Sequence, residues 1–216
     1  MPKNYPVFLN LRGRACVVIG GGDVATHKVL GLLECEATVT VVSPAVTPAL
    51  RDLAKSGAIA HIQRAYSPGD LGSAFLAIAA TNEAEVNRQI AREAEAGRVL
   101  LNVVDVSDLG DFFTPALVQR GQVTIAISTN GASPALARKL REELSTAPAL
   151  RWAGLAEVLS KARIELRKRK LKATPERWQE SITSESLRLV EAGKPEEALE
   201  RLLASLTAGA TSEVSP

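Results

Sequence analysis

Residues 15–25 read Ala-Cys-Val-Val-Ile-Gly-Gly-Gly-Asp-Val-Ala, and the fold is decided there. An unbroken apolar run enters three glycines, which suits a strand buried on both faces. Helical spacing then continues from Val24 to Leu33. Thr38 to Val42 is β-branched at every position, and Ser43-Pro44 stops it. Strand, helix and strand in so short a span predict a parallel βαβ unit. Gly20, Gly22 and Ala25 fit G-x-G-x-x-A at the strand-to-helix junction. The first glycine permits the tight turn, Gly22 lets the backbone approach a pyrophosphate, and Ala25 lets helix and strand pack closely. The helix N-terminal amides then receive the phosphates.

Dinucleotide binding is therefore expected at Gly20, Gly21, Gly22, Asp23 and Val24, with Ser43 and Pro44 at the end of the second strand. Asp23 either contacts the cofactor or caps the helix. The acidic residue that reads a ribose about 20 positions on is missing, so this rule does not separate NAD from NADP.

The alternation continues with a helix at Pro48 to Ser56, strands at Ile59 to Ile62 and Phe75 to Ala79, a helix at Glu83 to Ala96 and a strand at Val99 to Val104. Thr81 and Asn82 follow one strand end. Asn102, Val103 and Asp105 lie at the next. In an open α/β sheet ligands sit outside these carboxyl ends, which places Asn102 and Asp105 where a substrate meets the cofactor. Beyond Asp105 the rhythm changes. Thr114 to Gln119 and Val123 to Ser128 read as a hairpin about Arg120-Gly121-Gln122, and Ser133-Pro134 opens a helix to about Leu144. The loop Ser128 to Pro134 offers hydroxyls, an amide and a helix N-terminus, a set that favours an anion.

From Pro148 no strand pattern remains. Trp152, Leu155, Leu159, Ala162 and Leu166 mark one amphipathic helix. Thr174-Pro175 caps a second that Gly193 ends, and Pro195 begins a third. The expected architecture is α/β: a Rossmann-like parallel sheet over residues 1–112, a small α+β segment over 113–147, an all-helical module over 148–207 and a disordered tail over 208–216.

Composition excludes several classes of function. The 216 residues carry 26 Lys and Arg against 24 Asp and Glu, so bulk charge argues for neither nucleic acid nor membrane. Aromatics at 4% build no base-stacking platform, and no apolar run approaches a membrane span. His27 falls in a helix and His61 in a strand, which leaves no His base and no tetrahedral metal site to propose. Cys16 and Cys35 lie outside any CxxC pattern and read as two buried free thiols. With no secretory signal in Met1 to Leu11, the expected compartment is the cytoplasm. Seven basic residues in Lys161 to Lys172 read first as a solvated helix face, with a polyanion as the sharper alternative.

Five motifs in consistent order carry a resemblance: Tyr5 to Leu9 with Leu11 to Arg14; Gly20 to Ala25 followed by Lys28; Ala79 to Asn82 with Asn87; Asn102 to Asp105; and Ser128 to Pro134 with Ala137-Arg138. Together they resemble the siroheme synthase family, in its precorrin-2 dehydrogenase/sirohydrochlorin ferrochelatase domain and in a stand-alone form without the methyltransferase domain. The resemblance implies NAD-dependent oxidation of precorrin-2 to sirohydrochlorin, and in some members insertion of ferrous iron into the product. It implies Asp105 as general base, also during chelation, and Ser128, Thr129, Asn130, Gly131 and Ser133 against the tetrapyrrole. It further implies a homodimer with the hairpin as a seam. The loop reads Ser-Thr-Asn-Gly-Ala-Ser where the family pattern is Ser-Ser/Thr-Gly-Gly-x-Ser. Two other readings use the same residues: a non-catalytic dinucleotide sensor, which needs the glycines but neither Asp105 nor the serine loop, and an RNA binder built on the basic helix.

Overall fold

The computed structural model describes residues 4–208. The chain divides into two units, Met1–Thr114 and Pro115–Pro216. In the first, β1 (Ala15–Ile19), α1 (Asp23–Glu34), β2 (Thr38–Val42), α2 (Pro48–Lys55), β3 (Ala60–Ile62), β4 (Leu76–Ala79), α3 (Ala84–Gly97) and β5 (Leu100–Val103) alternate as expected. All five strands are parallel, in the order β3-β2-β1-β4-β5. Ile19 pairs with both Val42 and Ala79, and Ala79 with Val103, so the strands end in line at one rim. Strand order reverses at β1, and the crevice of the fold opens there.

The unbroken apolar runs are explained by two cores, one on each face. Side chains alternate along a strand, so Cys16 and Val18 of β1 pack with Ala25, Val29, Val39, Val41 and Leu50, whereas Val17 and Ile19 pack with Ala77, Ala79, Ile90, Ala94, Leu101 and Val103. Helix α1 supplies its face through Ala25, Val29 and Leu32, at three- and four-residue spacing. Thr47 caps α2 by accepting from the Leu50 amide at 3.3 Å. Burial pushes the Cys16 thiol up to about 11, with a smaller push from Cys35. Cys35, expected to be buried, is exposed: it sits one residue past the end of α1, where the chain turns back toward β2.

The second unit begins with an antiparallel hairpin, β6 (Ala116–Arg120) and β7 (Val123–Ile127), in register from Ala116↔Ile127 to Arg120↔Val123. Gly121, at φ +56, supplies the left-handed residue of its two-residue turn. Helix α4 (Pro134–Ser145) follows, and none of its residues is buried. A 3-10 segment over Pro148–Leu155 precedes α5 (Ala156–Lys168), so the amphipathic stripe read from Trp152 onward becomes α-helical only at Ala156. The expected second helix is two, α6 (Pro175–Ser181) and α7 (Ser184–Glu191). The break falls at Ile182-Thr183, where the Thr183 hydroxyl accepts from the Ser186 amide at 3.2 Å and starts a new helix. Val158, Ala162 and Leu166 of α5 pack with Ala198, Leu202 and Leu206 of α8 (Pro195–Thr207), matching stripes at four-residue spacing.

Among the described residues no helix is long and apolar enough to cross a membrane. Of the expected tail, residues 209–216 lie outside the described part.

Candidate functional site

A cleft of about 480 Å³ opens at the strand rim of the first unit. Gly22, Asp23, Val24 and Ala25 form one wall, Ala80, Thr81, Asn82, Ala84 and Asn87 a second, and Val104, Asp105 and Val106 a third. Three strand ends thus bring together residues more than eighty positions apart, among them Gly22, Asp23, Val24, Thr81, Asn82 and Asp105 of the expected site.

The three glycines of the turn do different work. Gly20 sits at φ +120, and a Cβ there would lie 2.3 Å from the Ala80 carbonyl oxygen. At Gly21 a Cβ would lie 2.0 Å from the Ala45 carbonyl oxygen. Both are required by neighbouring backbone. A Cβ at Gly22 would meet nothing within 4 Å; the protein itself leaves that space to the cleft. Gly22 is also the N-cap of α1 and provides no side-chain cap, so the first-turn amides keep their donors. An open glycine beneath uncapped amides fits a pyrophosphate. Asp23 is the first residue of α1 and not its N-cap, which is Gly22. The Asp23 carbonyl oxygen lies 2.8 Å from His27 Nδ1.

Thr81 is held by Asn87. Its hydroxyl donates to Asn87 Oδ1 at 3.0 Å, and Asn87 Nδ2 donates back to the Thr81 carbonyl at 3.2 Å. Ser43 is buried, and its hydroxyl donates to the Ala45 carbonyl at 2.7 Å, holding the turn that presses on Gly21. Pro44 beside it is exposed. Asn102 and Val103 are buried in β5 and do not line the cleft. Asn102 Nδ2 donates to the Phe112 carbonyl at 2.9 Å, while its Oδ1 is buried without a hydrogen-bond partner.

Asp105 is exposed on the cleft and adopts φ +60, a left-handed conformation that short polar side chains tolerate better than most. Backbone strain of this kind, at a strand end on a cleft, is a feature that clusters at functional sites.

In the second unit, the Ser128–Ser133 loop joins β7 to α4. Ser128 Oγ accepts from the Asn130 amide at 3.1 Å. Thr129 Oγ1 accepts from the Ser133 amide at 3.1 Å and donates to the Ser133 carbonyl at 3.2 Å. Ser133 caps α4, accepting from the Leu136 amide at 3.1 Å. Asn130 and Gly131 lie at φ +50 and +81. Asparagine at the first of these positions has a physical reason: it is among the few residues that enter the left-handed region readily. Several cations of the basic run have acidic partners. Lys161 pairs with Glu157 and Glu196 at 3.3 and 3.5 Å, and Arg169 with Glu165 at 2.9 Å.

Residues 7–116 match the family described as "Putative NAD(P)-binding", half of the chain, and residues 120–147 match "Sirohaem biosynthesis protein central". A siroheme synthase of Methylobacillus flagellatus is 43% identical over 144 residues, 67% of this chain and 31% of that protein. One from Thioalkalivibrio sulfidiphilus is 35% identical over 207 residues, 95% of this chain and 42% of that protein. The chain belongs to this putative NAD(P)-binding family and is homologous to the siroheme synthases over part of their length. It spans less than half the length of the siroheme synthases it matches. A solved structure, the precorrin-2 dehydrogenase SirC, superposes with a TM-score of 0.72 at 28% identity, covering 92% of this chain and 98% of that one.

Within this fold two residues matter more than their sequence context shows. Asn87, in α3, is the buried clamp on Thr81. Its signal was an amide on the apolar stripe that ends at Ile90 and Ala94. Lys28 follows the glycine motif and is half-buried, donating to Thr114 Oγ1 at 2.8 Å. Only its four-residue spacing from Val24 pointed to the cleft side.

Proposed function

We propose that the chain oxidises precorrin-2 to sirohydrochlorin with NAD as acceptor. Two hydrogens leave the macrocycle, one as a hydride to the nicotinamide and one as a proton. The bound nicotinamide supplies the hydride acceptor. Gly20, Gly21, Gly22, Asp23 and Val24, with Thr81 and Asn82, are the residues that would hold it. The proton falls to Asp105, whose carboxylate stands at the cleft rim. That carboxylate, on a residue of left-handed backbone conformation in the same cleft as an open glycine and uncapped helix amides, is the observation that carries the reading.

Preference for NAD over NADP is supported at the β2–β3 edge. Arg64 follows β3 beside the Ser43 turn, and both of its terminal nitrogens bind Asp70, at 2.6 and 2.5 Å. A guanidinium so engaged offers little to a 2′-phosphate.

In the same reading the Ser128–Ser133 loop receives substrate carboxylates, and ferrous iron enters sirohydrochlorin as a second substrate while Asp105 accepts pyrrole protons. The assembly is a homodimer in the cytoplasm.

The test supplies precorrin-2 and NAD anaerobically and follows absorbance for sirohydrochlorin and NADH. Wild type turns over. Asp105→Asn keeps its affinity for both ligands and loses about 10² to 10⁴ in kcat. Wild type without turnover, or an Asp105→Asn variant with full turnover, refutes the assignment. Ferrous ion added to preformed sirohydrochlorin then tests chelation, which fails if the rate stays at the spontaneous level.

A further inference from the structure

The ionisable residues lining the cleft are Asp23 and Asp105, both acidic. A polyacid ring entering beside two carboxylates is repelled unless a cation offsets them, and none lines the cleft itself. Lys28 lies just behind the wall, one turn along α1 from Val24 and on the same face. Its hydrogen bond goes to the uncharged Thr114 hydroxyl, which takes one of the ammonium's three protons. Burial pulls its affinity for a proton below the ordinary lysine range, and the Asp105 charge partly restores it. The ammonium is therefore partly stripped of water and within the field of the carboxylate at the cleft rim, an arrangement more common at functional sites than on plain surface. Along α1 it stands six residues past the Gly22 N-cap, beyond the first-turn amides that a pyrophosphate would use.

We propose that Lys28 is a substrate-binding residue whose ammonium takes a carboxylate of the tetrapyrrole's side chains and so holds the ring against Asp105. The inference rests on the precorrin-2 reading given above, and its test separates the two. Wild type, Lys28→Met, Lys28→Gln and Lys28→Arg are titrated anaerobically with sirohydrochlorin by absorbance and, separately, with NAD, each at low and high salt. Loss of one charge-assisted contact predicts about ten-fold weaker ring binding for Lys28→Met and Lys28→Gln. Their salt dependence becomes shallower, and NAD affinity stays within about two-fold of wild type. Lys28→Arg keeps most of the ring affinity.

Glutamine can still bond Thr114 but carries no charge. Ring binding restored by Lys28→Gln would make the role structural and overturn the proposal. So would a Met variant that binds the ring as wild type does, or one that loses NAD instead. If wild type binds no sirohydrochlorin, the precorrin-2 reading itself fails and the inference falls with it. If wild type binds and the charge-free variants bind equally, only the role of Lys28 fails.

Discussion

The molecule contains two strand-to-helix turns built from small residues, and they treat their helix N-termini in opposite ways. At Gly20–Ala25 the neighbouring strands crowd the backbone, Gly22 faces open space, and α1 begins without a side-chain cap. At Ser128–Ser133 the loop's own hydroxyls bond its amides and Ser133 caps α4. The first turn spends its side-chain volume on fitting between β2 and β4 and leaves its amides to a ligand. The second satisfies itself, and its own side chains close the helix end. Similar composition thus gives one helix N-terminus with open amides and one whose amides are bonded by the loop itself.

The contrast breaks most visibly at Gly20. Gly20→Ala combines φ +120 with a backbone overlap at 2.3 Å. It should cost about 3 kcal/mol or more, read as a collapse of the thermal melt or loss of soluble protein. A variant that melts like wild type would mean the turn is not squeezed as described.

Gly22→Ala separates packing from binding. A methyl group there meets no protein atom, so the unliganded melt should stay within a few degrees of wild type. What disappears is the stabilisation by NAD, about 2.7 kcal/mol for wild type at one hundred times its dissociation constant. Thermal melts with and without NAD make the measurement. Retained protection would move the pyrophosphate away from Gly22.

These two glycines also mark how far the sequence could be read. The apolar run into the glycines and the β-branched run at Thr38 to Val42 gave the parallel sheet, because a two-face burial leaves a local trace. Gly21 was legible as a motif member but not as the residue that admits the Ala45 carbonyl, since that contact joins β1's end to the turn after β2. Asn102 was placed correctly at the rim strand, yet its amide turns to Phe112, a partner ten residues later in an irregular loop. The second unit was read less finely for a similar reason. Two capping threonines, Thr174 and Thr183, lie nine residues apart, and without tertiary context the second resembles an ordinary helical position. Lys28 shows the same limit, because its hydrogen-bond partner, Thr114, lies eighty-six residues on.

Ser133→Ala tests the self-satisfied turn. Loss of the bond to the Leu136 amide removes an N-cap and should cost about 1 kcal/mol of stability. The exposed amides would then resemble those of α1, so inorganic phosphate should protect this variant in a melt more than it protects wild type. Equal protection would show that the cap is not what closes α4 to anions.

The smallest effect is expected at Asn130→Gly, which sets two glycines in succession before Ala132. The left-handed φ of +50 is easier for glycine than for asparagine, but glycine also gains freedom in the unfolded chain. The two terms oppose each other, so the melt should move by less than about 1 kcal/mol in either direction. Ring affinity, titrated with sirohydrochlorin, reports separately. Unchanged affinity means that Asn130 serves the loop through its backbone, as glycine does in the family pattern. A loss of ten-fold or more would give its side chain a contact with the substrate, and would make the second turn a recognition device that works through a side chain.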